Sequence, residues 1–97
     1  MKELTPEQLL IIADHFCDTY NVTLKSFSDL AAAAAVPGAR FDGIPLYTSP
    51  EVAGTALADY ICRLKPLSAL NVEFSELACD VYRRWARGPV VHPGRAY

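Results

Sequence analysis

Phe41-Asp42-Gly43-Ile44-Pro45-Leu46-Tyr47, followed eighteen residues after Tyr47 by Lys65-Pro66-Leu67-Ser68-Ala69-Leu70-Asn71-Val72-Glu73, is the part of this chain that decides its fold. Gly43 and Pro45 sit among Phe41, Ile44, Leu46 and Tyr47, a mixture that interrupts helical spacing and predicts an extended flap or small β-hairpin. Pro45 has no N–H, so it limits pairing on one side of the flap. Leu46 and Tyr47 are expected to fold back as core, leaving Phe41, Asp42, Gly43, Ile44 and Pro45 as an edge for a partner. The second stretch reads as a loop over 65–70 leading into a helix capped by Asn71.

Outward from these two stretches the pattern is helical. Thr5-Pro6-Glu7-Gln8 combines a capping threonine, a proline suited to the first helical position and a glutamine that completes a capping box. Leu9, Ile12, Ala13, Phe16 and Tyr20 then keep helical spacing, predicting a helix of about fifteen residues that ends at Asn21-Val22-Thr23. Ser26 or Ser28 should cap a short second helix through the alanine run 31–35, which Pro37-Gly38 stops. Ser49-Pro50-Glu51 repeats the first start signal and opens a third helix with Val52, Ala56, Leu57, Tyr60, Ile61 and Leu64 as its apolar stripe. The fourth helix places Phe74, Leu77, Ala78, Val81 and Trp85 inward, and Gly88-Pro89 ends it. The expected organisation is an all-α helical domain over 1–88, a compact bundle with one short extended flap, followed by a C-terminal tail over 89–97.

Composition narrows the function classes. A chain of 97 residues makes one core, burying somewhat over ~60% of its unfolded surface. Hydrophobic residues are 52% of the chain, much of it alanine, which suits closely packed helices. A net charge of −2 argues against nucleic acid as a partner, because phosphate-backbone affinity rests on accumulated Lys and Arg. Arg83, Arg84 and Arg87 do cluster, and complementing the C-terminal end of their helix accounts for them. Cys17, Cys62 and Cys79 fit neither a zinc site nor a disulfide framework, so free buried thiols are expected. Glu73, Glu76 and Asp80 read as a solvated, dipole-favoured face in the early turns of the fourth helix and not as metal ligands. Met1-Lys2-Glu3 leads straight into a capped helix, and the longest apolar run, Leu30 to Val36, falls far short of a membrane span. No membrane partner and a cytoplasmic location are the expectation.

The order of elements carries more than composition does. The Leu-Thr-Pro-Glu-Gln opening, the alanine-rich short helix, the Ala39-Arg40-Phe41-Asp42-Gly43-Ile44-Pro45-Leu46-Tyr47 segment and the loop at 65 together resemble the Fic/Doc (death-on-curing) family, on the Doc side. The resemblance runs from about Leu4 to Trp85, and flap and loop keep the family's separation without a gap. It implies a compact helical bundle whose flap holds a target segment by strand addition. The family's loop is written H-x-F-x-[D/N]-[A/G]-N-K-R or H-P-F-x-[D/E]-G-N-x-R. Its histidine acts as base for a target hydroxyl, and its acid holds Mg²⁺. Its small residue, Asn and basic residues build a phosphate nest at a helix N-terminus. Fic proteins mostly transfer a nucleotide monophosphate to a hydroxyl, whereas Doc phosphorylates a translation elongation factor.

This chain departs at nearly every reactive position. Lys65 stands at the histidine position. A free lysine keeps its proton to about pH 10.4, so making it a base near neutrality costs roughly 4–5 kcal/mol. Ala69 replaces the metal-holding acid and Leu70 the glycine. Val72 and Glu73 replace the basic pair. A carboxylate about 5 Å from a phosphate charge repels it by about 3 kcal/mol at an effective dielectric of ~20, where arginine would attract as much. Pro66, the apolar Leu67 and Asn71 remain, and these shape the turn. His15 and His92 do not restore the chemistry: one lies mid-helix beside Asp14, and the other starts His-Pro-Gly-Arg in the tail without the acid, Asn and helix that should follow.

The function expected from the sequence is therefore a catalytically degenerate Doc-like protein, a pseudoenzyme of a toxin–antitoxin or phage-related setting. It leans away from enzymatic activity, expects no cofactor and no metal, and expects a protein partner, antitoxin-like or a Fic/Doc relative. In the family's toxin–antitoxin pairs the antitoxin tail folds as a helix across the Doc-like partner's helical face, which implies a similar groove here. Two alternatives stand beside it. One is a divergent transferase with Lys65, Asn71 and Glu73 in new roles. The other is a small structural domain that forms homo-oligomers through its apolar flap.

Overall fold

The computed structural model describes residues 1–88; the expected tail over 89–97, His92 included, lies outside the described residues. Four helices and one two-stranded hairpin follow in the order α1 (Pro6–Tyr20), α2 (Phe27–Ala34), β1 (Arg40–Phe41), β2 (Ile44–Pro45), α3 (Pro50–Leu64) and α4 (Asn71–Arg87).

Local chemistry explains where each helix begins. The Thr5 hydroxyl accepts the Gln8 N–H at 3.1 Å while the Gln8 side chain accepts the Thr5 N–H at 2.9 Å, so the capping box is complete. Asn21 closes α1 in the left-handed conformation, φ 56°, which asparagine tolerates better than most residues. Ser26, not Ser28, caps α2 through the Asp29 N–H, and Ser49 caps α3 through the Val52 N–H. Each serine satisfies an N–H that a helix start leaves orphaned.

Each helix packs on the next, and α1 closes back on α4; the α3–α4 pair makes the largest contact. Leu9, Ala13 and Phe16 of α1, Leu30, Ala33 and Ala34 of α2, Leu57 and Ile61 of α3, and Phe74, Ala78 and Tyr82 of α4 meet in one core. The alanine run contributes closeness more than area, and Gly54 does the same on α3. A Cβ added at Gly54 would stand 2.9 Å from Arg83 Cγ and 3.2 Å from Cys79 Sγ. Tyr82 is buried, and its hydroxyl donates to the Lys2 carbonyl at 2.7 Å, tying the start of the chain to the last helix.

The burial pattern differs from the expected one in four places. On α3, Ala53 and Gly54 are buried beside Leu57 and Ile61, while Val52 and Tyr60 turn outward. Small residues at 53 and 54 let α4 approach, which rotates the helix away from the bulkier row. On α4, Tyr82 and Cys79 take the inward places, and Trp85 is left 38% exposed at the rim. On α1, Tyr20 is exposed and stacks on Phe16 with ring centroids 4.6 Å apart. Leu46 is exposed, and of the two residues expected to fold back only Tyr47 packs against the core. All three cysteines are free, yet only Cys79 is buried, with Cys17 and Cys62 half-buried on helix flanks.

No helix of the described residues is long and apolar enough to cross a membrane.

Candidate functional site

Residues 65–73 sit at the α3–α4 junction, and the backbone there is committed to the fold. Lys65 ends α3 in the left-handed conformation, φ 52°, with its N–H on the Ile61 carbonyl at 2.9 Å. Pro66 and Leu67 are fully buried. The Pro66 carbonyl accepts two N–H groups from the α1–α2 connection, Lys25 at 2.7 Å and Ser26 at 3.0 Å. Ser68 N–H donates to the Thr23 carbonyl at 2.8 Å, and the Ser68 hydroxyl accepts the Thr23 N–H at 3.0 Å. Leu24 and Leu67 form an antiparallel bridge. The loop is a joint between two interhelical turns.

Asn71 acts differently from expectation. It is the first residue of α4 and not its cap. Its Oδ1 accepts the Leu67 N–H at 2.9 Å and its Nδ2 donates to the Leu67 carbonyl at 3.1 Å. One side chain thus satisfies both backbone groups of a buried residue, a use the sequence pattern alone does not distinguish from capping. The residue before the helix is Leu70, φ 59°, with no side-chain cap. A left-handed conformation at a leucine costs about 1–2 kcal/mol. The turn thus has the shape glycine would supply, held by a residue that resists it.

Lys65, Ala69, Leu70, Val72 and Glu73 point to solvent. Among the described residues no group of three His, Cys, Asp or Glu side chains has metal-holding geometry. His15 is exposed on α1, in a polar concavity it shares with Asp14, Cys17, Asp18 and Asn21. Burial, then the charge of Asp14, pushes the Cys17 thiol up from its usual value. Burial does the same to Cys79, against an opposing pull from Arg83. Raised thiol values leave little thiolate, the form a nucleophilic cysteine needs.

The flap is a β-hairpin. Phe41 pairs with Ile44 and Arg40 with Pro45, antiparallel, across the two-residue turn Asp42-Gly43. Both turn residues have positive φ, 51° and 77°, the mirror-image turn that matches the twist of a tight hairpin. Arg40 Nη1 donates to the Gly43 carbonyl at 3.1 Å, and Leu46 N–H donates to the Ala39 carbonyl at 3.0 Å below the pair. Directly paired residues project to the same face. Phe41 and Ile44 therefore stand side by side there, 69% and 67% exposed. Pro45 offers no N–H, so the β1 edge at Arg40 is the edge able to accept another strand.

Three further surface features were missed in the sequence reading. An apolar groove of 210 Å³ runs between α1 and α4, lined by Leu4, Ile11, Ile12, Val81, Tyr82 and Trp85. The available signal was Ile11, an apolar residue set among the acids of α1. A second concavity, of 440 Å³, lies between Tyr47 and the outer side of α3. The third is an arginine clasp. Arg83 Nη2 donates to the Glu51 carbonyl at 2.9 Å and to the Thr55 hydroxyl at 2.7 Å. Arg87 is ion-paired with the Glu51 carboxylate, its Nε at 3.0 Å. Arg84 alone stays on its own helix, paired with Asp80 at 3.2 Å. Two of the three arginines thus fasten α4 to the start of α3, where helix-end complementation was expected for all three.

No family model, no curated protein and no solved structure matches this chain.

Proposed function

We propose that this chain is a binding protein built on a Doc-like scaffold that has lost its transfer chemistry, and that the hairpin is where it grips a protein partner. The setting that suits this reading is a toxin–antitoxin or phage-related pair, with an antitoxin-like chain or a Fic/Doc relative as the partner. One contrast carries it. Every backbone group named above in the 65–71 turn is engaged in holding the fold, whereas the hairpin leaves Phe41 and Ile44 bare and a strand edge free. A paired, exposed aromatic and aliphatic residue beside an open edge suits strand addition: main-chain bonds give affinity and side-chain contacts give selectivity. Leu70 supports the scaffold half of the reading, because its strained conformation is what a glycine at that place would adopt without cost.

Two measurements test the two halves. Calorimetric titration of nucleoside triphosphates with Mg²⁺ should give no heat below millimolar concentration. The Glu73→Arg variant should gain affinity only if the turn still presents a phosphate nest. Micromolar binding by the natural chain would instead make it a divergent transferase. Asn71→Ala is a poor control, because that change also frees the Leu67 backbone. For the second half, a partner recovered with the natural chain should be lost with Phe41→Ser/Ile44→Ser and kept with Trp85→Ala. A partner indifferent to the hairpin overturns the assignment of the surface.

A further inference from the structure

The groove between α1 and α4 has two apolar walls. Ile11, 69% exposed, stands on the α1 side and Val81 with the rim of Trp85 on the α4 side, above buried Leu4 and Tyr82. No charged side chain lines it, and the Gln8 side chain is taken up by the capping box. The two helices run antiparallel. Lys2, just ahead of α1, meets Tyr82 and Trp85 near the end of α4, whereas Phe16 meets Phe74 at the other end, ring centroids 5.5 Å apart. The chain leaves α4 at the Trp85 end of this groove. Gly88 donates its N–H to the Trp85 carbonyl at 3.1 Å. Its φ of 75° and ψ of −173° belong to a region essentially reserved for glycine, and Pro89 cannot continue a helix. The helix stops beside the groove, and the chain departs from its axis there.

We infer that residues 89–97, which lie outside the described residues, turn back along α4 and occupy this groove, with Val90 and Val91 as the side chains that enter it. This goes beyond the hairpin reading and uses none of its residues. Length fits. An extended chain advances about 3.3 Å per residue, so Val90 and Val91 come back about 7 and about 10 Å from Gly88. A helix rises about 1.5 Å per residue, which places Trp85 and Val81 about 5 and about 10 Å back. Adjacent residues of an extended chain point to opposite sides. One valine therefore meets the α4 wall and the other meets Ile11 on α1.

Tethering selects this occupant over a second chain. A segment joined to the protein a few residues from its site acts at about millimolar effective concentration, so another chain must bind correspondingly tighter to displace it. The residue order agrees. Two β-branched apolar residues follow directly on Gly88-Pro89, where the groove begins, and the basic Arg95 comes four residues after Val91. Along the direction of α1 that brings Arg95 level with Asp14 and Asp18, exposed acids that make no ion pair among the described residues.

Trp85 is the chain's one tryptophan and stands at the groove's rim, so its fluorescence reports the cover. The test compares the full natural chain with Val90→Asp/Val91→Asp. The variant's emission should move to longer wavelength and acrylamide should quench it faster, with the circular dichroism spectrum unchanged. Val90→Ile/Val91→Ile should keep the natural emission. Emission and quenching that Val90→Asp/Val91→Asp leaves as they were overturn the inference. A second measurement fixes the occupant. Ile11→Cys is paired with Val90→Cys or with Val91→Cys in a Cys17→Ala/Cys62→Ala background. One of the two should close an intrachain disulfide on mild oxidation, at a yield independent of protein concentration. No bridge in either, or a bridge only between chains that fades on dilution, overturns the inference, and the latter gives the groove to a second copy. Neither measurement involves a partner or the hairpin, so failure here leaves the hairpin reading standing.

Discussion

The 65–71 turn and the 40–45 hairpin are both short connections between helices, and they use their residues in opposite ways. In the turn, Pro66 and Leu67 are buried, and polar groups of Pro66 and Ser68 bond to a segment forty or more residues away. In the hairpin, side chains of equal apolarity stand in solvent, and the hydrogen bonds stay within the excursion. A segment with no reactive chemistry of its own still serves the fold when its amides hold two turns together. A segment whose apolar residues bury nothing within its own chain points outward, to something else.

Substitutions in the two regions should separate sharply. Leu67→Ala removes a fully buried side chain from the joint and should cost about 2–5 kcal/mol. Phe41→Ala removes a larger side chain from the hairpin and should stay within about 0.5 kcal/mol. Chemical denaturation of both variants checks the pair, and equal losses would erase the contrast. Next in size is Asn71→Ala. It strips both partners from the Leu67 peptide groups and should cost about 2 kcal/mol by the same assay, with faster amide exchange at Leu67. Tyr82→Phe should follow at about 1 kcal/mol, the loss of one hydrogen bond to the Lys2 carbonyl.

Leu70→Gly should move the other way. It relieves a left-handed conformation at a cost in chain entropy, for a net stabilisation of about 0.5–1 kcal/mol read as a higher melting temperature. The smallest effect concerns acid. The Arg87 hydrogen bond holds the Glu51 carboxyl below its usual value. A lowered carboxylate contributes stability that is fully present above the ordinary glutamate range and lost as pH falls through the folded value. Glu51 is exposed at the surface, so Glu51→Gln should flatten the acid limb of the stability curve only slightly. Comparing the two proteins between pH 5 and pH 3, about the range where such carboxylates titrate, checks the sign.

Much of this was legible in the chain. The starts of α1 and α3 could be read because Thr5-Pro6-Glu7-Gln8 and Ser49-Pro50-Glu51 act locally, through hydrogen bonds to residues three places on. The hairpin could be read because Gly43 and Pro45 break helical spacing among Phe41, Ile44, Leu46 and Tyr47. Helix faces were harder. On α3 the rows 52/56/60 and 53/57/61 are both apolar, and the tie is broken by Gly54 and Ala53, whose contribution is absence of bulk. Tyr82 gave way to Trp85 in the sequence reading because its hydroxyl partner lies at Lys2, far along the chain. Asn71 had the right residue type for a cap, and only the fold shows the Leu67 peptide waiting behind it. How the backbone is engaged at residues 65–71 was not legible in the sequence.

The stitch between Thr23–Ser26 and Pro66–Ser68 has a kinetic side. It closes a loop spanning α2, the hairpin and α3, so it cannot form until those elements have found their places, and it draws no help from neighbours in sequence. Once made, its amides should open together: Lys25, Ser26 and Ser68 should exchange with solvent at one common rate, as a single cooperative unit. The turn would then be the latch of the folding reaction, set late and released as one piece.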